Sequence, residues 1–247
     1  MHKPPSRTSE AYVRLRERIT TGQLAPGAVV SEASLAKELG LSRTPIGEAL
    51  RRLSQDGLVE QVPRYGTIVR EITPAELEEL FEIREALEGM AASKAADRIT
   101  PTALEELGGL CGTIENELHR AETSGETRLE GEALRRFLSA DLAFHMLIIA
   151  SAGNSRLTEL IDNTRSISSM FNARRGEHSV ERIRNAAEAH RAILDALLRR
   201  DAMAAQAEVV AHIRTSCKQS LQAPTRRPPV SLGTLNLPDS VRQDLAS

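Results

Sequence analysis

The stretch from Ser31 to Arg70 constrains this chain more than any other. In Ser31-Glu32-Ala33-Ser34-Leu35-Ala36-Lys37-Glu38-Leu39-Gly40, Ser31 is placed to cap a helix and Gly40 to stop it. Ser42 or Thr44 is placed to cap the next one, with Pro45 in its first turn, where a missing N–H is tolerated. Ile46, Leu50 and Leu53 recur at helical spacing as its buried face. Two short helices joined by a turn containing Gly make a helix-turn-helix. The β-prone runs 58–62 and 67–70 then flank Pro63-Arg64-Tyr65-Gly66, which predicts a hairpin directly after the second helix, a wing. An amphipathic segment over 11–20, with Val13, Leu15 and Ile19 as its apolar positions, completes a winged helix-turn-helix over residues 8–70.

The rest of the chain has a different texture. Thr73-Pro74-Ala75-Glu76 combines an N-cap, Pro at the first helical position and Glu at the third, the start signal of a long helix reaching about residue 96. Five more helical patterns follow, at about 100–121, 131–151, 154–172, 179–199 and 201–220, and no strand pattern interrupts them. Six helices joined by short loops predict an antiparallel six-helix bundle over 73–222, so the fold class is mostly α. Aromatic residues make up only 2% of the chain, so Leu, Ile, Val and Ala must build both cores. The stretch 223–247, opening Ala223-Pro224-Thr225-Arg226-Arg227, lacks apolar periodicity and reads as a disordered tail.

Charge is divided along the chain. Residues 1–73 carry 11 Lys+Arg against 8 Asp+Glu, whereas the remainder is acidic, and the whole has a formal charge of -2. A basic front on an acidic body fits a phosphate-facing part joined to a part with another task. Two cysteines without a CxxC pairing point to a reducing, cytoplasmic setting, and no run of eighteen apolar residues predicts a membrane span.

Candidate DNA contacts lie on the second helix and the wing. Arg43 stands where a recognition helix enters the major groove, and arginine matches guanine O6 and N7. Ser42 and Thr44 can donate to phosphate or a base edge, Arg51 and Arg52 are placed for phosphate, and Arg64 with Gly66 forms the tip of the wing. The alternative is an ordinary surface helix with solvated arginines.

A second set of residues lies in the bundle. Asp141 and His145 stand at i and i+4 on one helix face, while His190 and His212 each sit among apolar or small residues. One carboxylate and three imidazoles meeting inside a bundle would hold a divalent metal, zinc first, with nickel or manganese as alternatives. The competing reading is a set of hydrogen-bonded core histidines. Arg84 shares the inward stripe of Leu80 and Leu87, and is either half of an internal salt bridge with Glu88 or a clamp for a carboxylate ligand. His2, His119 and His178 look peripheral.

Leu35-Ala36-Lys37-Glu38-Leu39-Gly40-Leu41-Ser42-Arg43-Thr44-Pro45-Ile46, followed by Ala49-Leu50-Arg51-Arg52-Leu53, resembles the DNA-binding domain of the GntR family of bacterial regulators. Gly47 departs from the arginine usual there. The segment from Thr73 to about Leu221 resembles the FCD ligand-binding domain of the FadR subfamily, through Leu80-Phe81-Glu82-Ile83-Arg84-Glu85-Ala86-Leu87-Glu88, Asp141-Leu142-Ala143-Phe144-His145 and Ala150-Ser151-Ala152-Gly153-Asn154. Six helices fit the VanR-type branch. The resemblance implies that Asp141, His145, His190 and His212 are metal ligands. It also implies that Arg84 meets a small organic acid effector, and that a homodimer binds a palindromic double-stranded operator, as a repressor in most relatives. Two rivals stand beside that non-enzymatic regulator: a metal-dependent hydrolase-like enzyme carrying a DNA-binding module, and an architectural DNA-binding dimer without an effector.

Overall fold

A computed structural model describes residues 6–63, 65–175 and 178–223, apart from the side chains of 172–175. Arg64 and the stretch 224–247 lie outside the described residues, so the expectations for the wing tip and for the tail past Ala223 are not addressed by it.

The N-terminal unit begins with α1 (Arg7–Thr20), four residues earlier than the apolar pattern predicts, because Ser6 Oγ caps it by accepting from the Ser9 amide at 3.1 Å. Its buried face is Ala11, Tyr12, Leu15 and Ile19, whereas Val13 is 60% exposed and takes no part in the core. The two-residue strand β1 (Val29–Val30) precedes α2 (Glu32–Leu39) and α3 (Arg43–Gln55). Gly40 ends α2 with φ +68°, a left-handed conformation that glycine adopts without the steric cost other residues bear. Ser31 and Ser42 hold the N-cap positions of α2 and α3, but neither hydroxyl makes the capping bond expected of it.

The wing is β2 (Val59–Val62) and β3 (Gly66–Val69), antiparallel, with Val59 opposite Val69 and Val62 opposite Gly66. Its sheet has three strands rather than two. β1 adds to the free edge of β3, Val29 opposite Ile68 and Val30 opposite Thr67, in the order β1-β3-β2. Ile46, Ala49, Leu50 and Leu53 of α3 bury against Leu15, Ile19, Leu58 and Val69.

Six helices follow: α4 (Pro74–Arg98), α5 (Pro101–Thr123), α6 (Gly131–Ser151), α7 (Ser155–Arg175), α8 (Val180–Leu198) and α9 (Ala202–Gln222). The start of α4 is the capping box read from the sequence: Thr73 Oγ1 accepts from the Glu76 amide at 3.2 Å, and Glu76 Oε2 accepts from the Thr73 amide at 3.0 Å. Leu77, Phe81, Ala92, Phe144, Ile148, Ile193, Leu197 and Val209 make the main bundle core. Among the described residues no helix is long and apolar enough to cross a membrane.

The helix α7 belongs to both units. Leu157 and Ile161 pack within the bundle against Ala91 and Ile149, whereas Met170, fully buried, lies in the core of the N-terminal unit with Ile167 against it. Polar contacts reinforce the junction: Arg16 on α1 makes an ion pair with Asp162 at 2.6 Å, and its Nε donates to Ser166 Oγ at 3.1 Å.

Candidate functional site

On the N-terminal unit, one open groove is lined by Arg43, Thr44, Gly47 and Arg51 of α3, Glu32 of α2 and Gln61 of β2. The first turn of α3 and its next exposed turn therefore share one face with the wing. Arg52 does not share it. Its guanidinium lies 4.0 Å from the centroid of the Tyr12 ring, on the side where α1, α3 and α7 meet. Tyr12 in turn donates its hydroxyl to Asp56 Oδ2 at 2.6 Å, and burial with that bond pushes its phenol up to about 12. Ser42 stands at the N-cap of α3, and Gly66 opens β3 with φ +88°. A Cβ at Gly47 would meet Glu32 Oε1 at 3.1 Å, the far end of a flexible side chain.

In the bundle, α6, α8 and α9 each turn a histidine toward a common point. Phe144 and Ile148, flanking His145, are core residues, and His190 and His212 lie on the buried faces of their helices, so the apolar stripes aim all three imidazoles inward. His145 Nε2 is 3.2 Å from His212 Nε2 and 3.3 Å from His190 Nε2. Asp141, one turn before His145, brings Oδ1 to 3.5 Å from His190 Nε2. The four ligand atoms all lie within 4.8 Å of one another. His190 is held in orientation by stacking on Phe144, ring centroids 4.2 Å apart.

Burial sets the protonation of this cluster. It pushes His190 and His212 down to about 3 and His145 well below the ordinary histidine value, with Arg165 adding to the effect at all three. Three neutral imidazoles converge their Nε2 atoms, yet a neutral imidazole carries one N–H, so protons alone cannot satisfy every close approach. A cation at the centre would do so. Three nitrogens and one oxygen form a donor set suited to a first-row divalent ion. Asp141 retains 26% of its side-chain exposure while the histidines are enclosed, so the cluster opens toward solvent on the Asp141 side.

Behind the histidines stands a buried charge network. Glu88 on α4 accepts from Arg84 Nε at 2.7 Å and from Arg165 Nη1 of α7 at 2.8 Å, and its Oε2 lies 3.6 Å from His145 Nδ1. Burial raises the Glu88 carboxyl, but Arg165 and Arg84 outweigh it and hold the group below the usual carboxylate range. The salt bridge read as one option for Arg84 is therefore present, and its guanidinium also lies over the Phe81 ring, 4.6 Å from the centroid. A carboxylate facing the outer nitrogen of a metal-ligating histidine is the usual second layer of such sites.

The sequence pattern does not single out Arg165, which also approaches Asp141 at 3.9 Å, or Arg182, which is half-buried on α8. His178 also departs from its expected place. Rather than lying at the periphery, His178 is largely enclosed, 6.3 Å from the Phe137 ring, with Asp141 and Arg182 close enough to act on its charge. Eight-residue spacing from His190 was the available signal for Arg182.

Comparison with known proteins agrees with this arrangement. Residues 7–69 match the bacterial regulatory proteins of the gntR family, and residues 79–215 match the FCD domain. An HTH-type transcriptional regulator in the TAR-I ttuE-ttuC' intergenic region of Agrobacterium vitis is 37% identical over 146 residues, covering 59% of this chain and 81% of that protein. The "Probable D-xylose utilization operon transcriptional repressor" of Paenarthrobacter nicotinovorans is 33% identical over 195 residues, 79% of this chain and 80% of that one. Escherichia coli McbR/YncC has the same fold, with a TM-score of 0.77 at 23% identity, over 88% of this chain and 98% of its own. The chain belongs to the GntR family of bacterial transcriptional regulators, its N-terminal helix-turn-helix followed by an FCD domain.

Proposed function

We propose that this protein is a ligand-controlled transcriptional repressor, with residues 8–70 as its reader and 73–222 as its sensor and dimerisation unit. Ser42, Arg43, Thr44 and Arg51 meet the DNA from α3, Gly66 and Arg64 from the wing, and Arg52 contributes from the flank. Two readers in a homodimer address two half-sites of a palindromic operator. The repressor assignment follows the Paenarthrobacter relative, a probable repressor of a D-xylose utilization operon.

The sensor reading rests on one observation, the approach of His212 Nε2 and His190 Nε2 to within 3.2 and 3.3 Å of His145 Nε2, beside Asp141. In this reading Asp141, His145, His190 and His212 hold a divalent metal, zinc first. Such an ion supplies a Lewis-acidic centre that attracts a carboxylate oxygen. Glu88 orients His145 from behind, Arg165 ties Glu88 to α7, and the Nη nitrogens of Arg84 are offered to a small organic acid. The helix α7 links that acid to DNA binding, because on either side of Arg165 it contacts Arg16 through Asp162 and Ser166, and about one turn further on it enters the reader's core with Met170. The acid acts by binding one placement of the readers better than another.

A thermal-shift screen of organic acids on zinc-loaded and chelator-stripped protein, followed by gel-shift with operator DNA, tests the scheme. The expected result is a metal-dependent shift that is reduced by Arg84→Ala and accompanied by release of DNA. An acid whose binding survives the double change His190→Ala and His212→Ala would sink the metal-centred mechanism.

A further inference from the structure

A second polar layer lies about two helical turns from the histidines, on the same three helices. Arg182 precedes His190 by eight residues on α8, Ser220 follows His212 by eight on the antiparallel α9, and Phe137 precedes His145 by eight on α6. Eight residues are a little over two turns, which carries a side chain about 80° round the helix and roughly 12 Å along its axis. Arg182 Nη2 donates to Ser220 Oγ at 3.2 Å, and the His178 ring reaches Phe137, so the layer is assembled and not only periodic.

Among the described residues this layer is short of negative charge. Ser220 is the one side-chain hydrogen-bond partner of the Arg182 guanidinium among the described residues, and no described carboxylate comes within ion-pair distance of it. Asp141, lying between the two layers, is the carboxylate that acts on Arg182 from a distance, against the burial that disfavours its charge. His178 Nδ1 is buried with no hydrogen-bond partner among the described residues. By contrast Arg84 and Arg165 share the carboxylate of Glu88. A half-buried cation without a close counter-ion is costly, and an orphaned imidazole nitrogen beside one marks a place where a polar ligand group belongs.

We propose that Arg182 and His178 form a second anion-binding pole, so that the effector is a small acid with two anionic groups, one directed at the histidine cluster and the other at Arg182. The interval between the layers, less the reach of the arginine side chain, suits a short-chain dicarboxylic acid. This inference rests on the acid-sensing reading of the bundle given above.

Calorimetric titration of zinc-loaded protein with straight-chain diacids of three to six carbons, against monoacids of the same lengths, tests it. The wild type should bind a diacid more tightly than its matched monoacid. Arg182→Gln should weaken the diacid about tenfold or more and leave the monoacid nearly unchanged, the size of one lost charged hydrogen bond, while Arg182→Lys should keep part of the preference. Should Arg182→Gln fail to fold, His178→Ala carries the same comparison. Equal affinities for the two acids in the wild type, or a diacid preference untouched by these changes, overturns the second pole while leaving the acid-sensing reading intact. Failure of every acid to bind overturns both.

Discussion

Arg165 Nη1 donates to Glu88 Oε2 at 2.8 Å, joining α7 to α4 directly behind His145. Glu88 thereby neutralises part of two buried guanidiniums and faces a histidine, three tasks for one carboxylate. Glu88→Gln should cost about 3–5 kcal/mol in denaturant unfolding, because it strands two buried cations. In the same variant zinc affinity should fall by roughly ten- to a hundredfold, the usual effect of removing an outer partner. Unchanged unfolding and unchanged zinc affinity would refute the role given to Glu88.

Stability should depend on pH through the histidines. His190 and His212 are held at about 3 and His178 at about 4, below an unfolded value of about 6.5. Between those limits the unfolded chain binds protons that the folded chain refuses, so folding is fully favoured above about pH 6.5 and weakens as pH falls toward 3 to 4. Each such group contributes up to about 1.4 kcal/mol per pH unit in that window. Thermal melts of chelated protein at pH 7.5, 6 and 5 should show a midpoint that declines below 6.5; a flat profile would contradict the enclosure of these rings.

The α3 arginines should divide by face. Arg43→Ala and Arg51→Ala should weaken operator binding and lower its salt dependence, whereas Arg52→Ala, removing a side chain that covers Tyr12, should have the smaller effect. Gly47→Arg should add a cation to the same groove and steepen the salt dependence by about one phosphate contact. Fluorescence anisotropy from 50 to 200 mM salt reads all four; Arg52→Ala as the most damaging would reverse the assignment.

Met170→Ala should destabilise the reader although the residue belongs to a bundle helix. Emptying a fully buried methionine site costs about 2–5 kcal/mol. Hydrogen exchange should accelerate in α1 and α3 more than in α5 or α8. Acceleration confined to the bundle would show that the shared core does not hold the reader.

Most of the architecture was legible because its signals are local. The capping box at Thr73, the glycine stop at Gly40 and the apolar stripes of α3 and α8 each act within a turn or two. The histidines were legible because each interrupts an apolar stripe. What escaped is non-local. β1 is two residues long and exists because the edge of β3 accepts it. The inward role of Arg165 was hidden because α7 faces two cores, with Leu157 and Ile161 toward one and Ile167 and Met170 toward the other, so no single stripe marks its inside. Arg52 looked like its neighbour Arg51, and only the packing of α1 against α3 separates them.

The double membership of α7 bears on how such proteins exchange parts. A reader transplanted as residues 7–72 onto an unrelated sensor would leave behind Ile167 and Met170, which complete its core, and Asp162 and Ser166, which fix its tilt through Arg16. Functional chimeras should therefore require the middle of α7 to travel with the reader, so the unit of recombination is discontinuous in sequence.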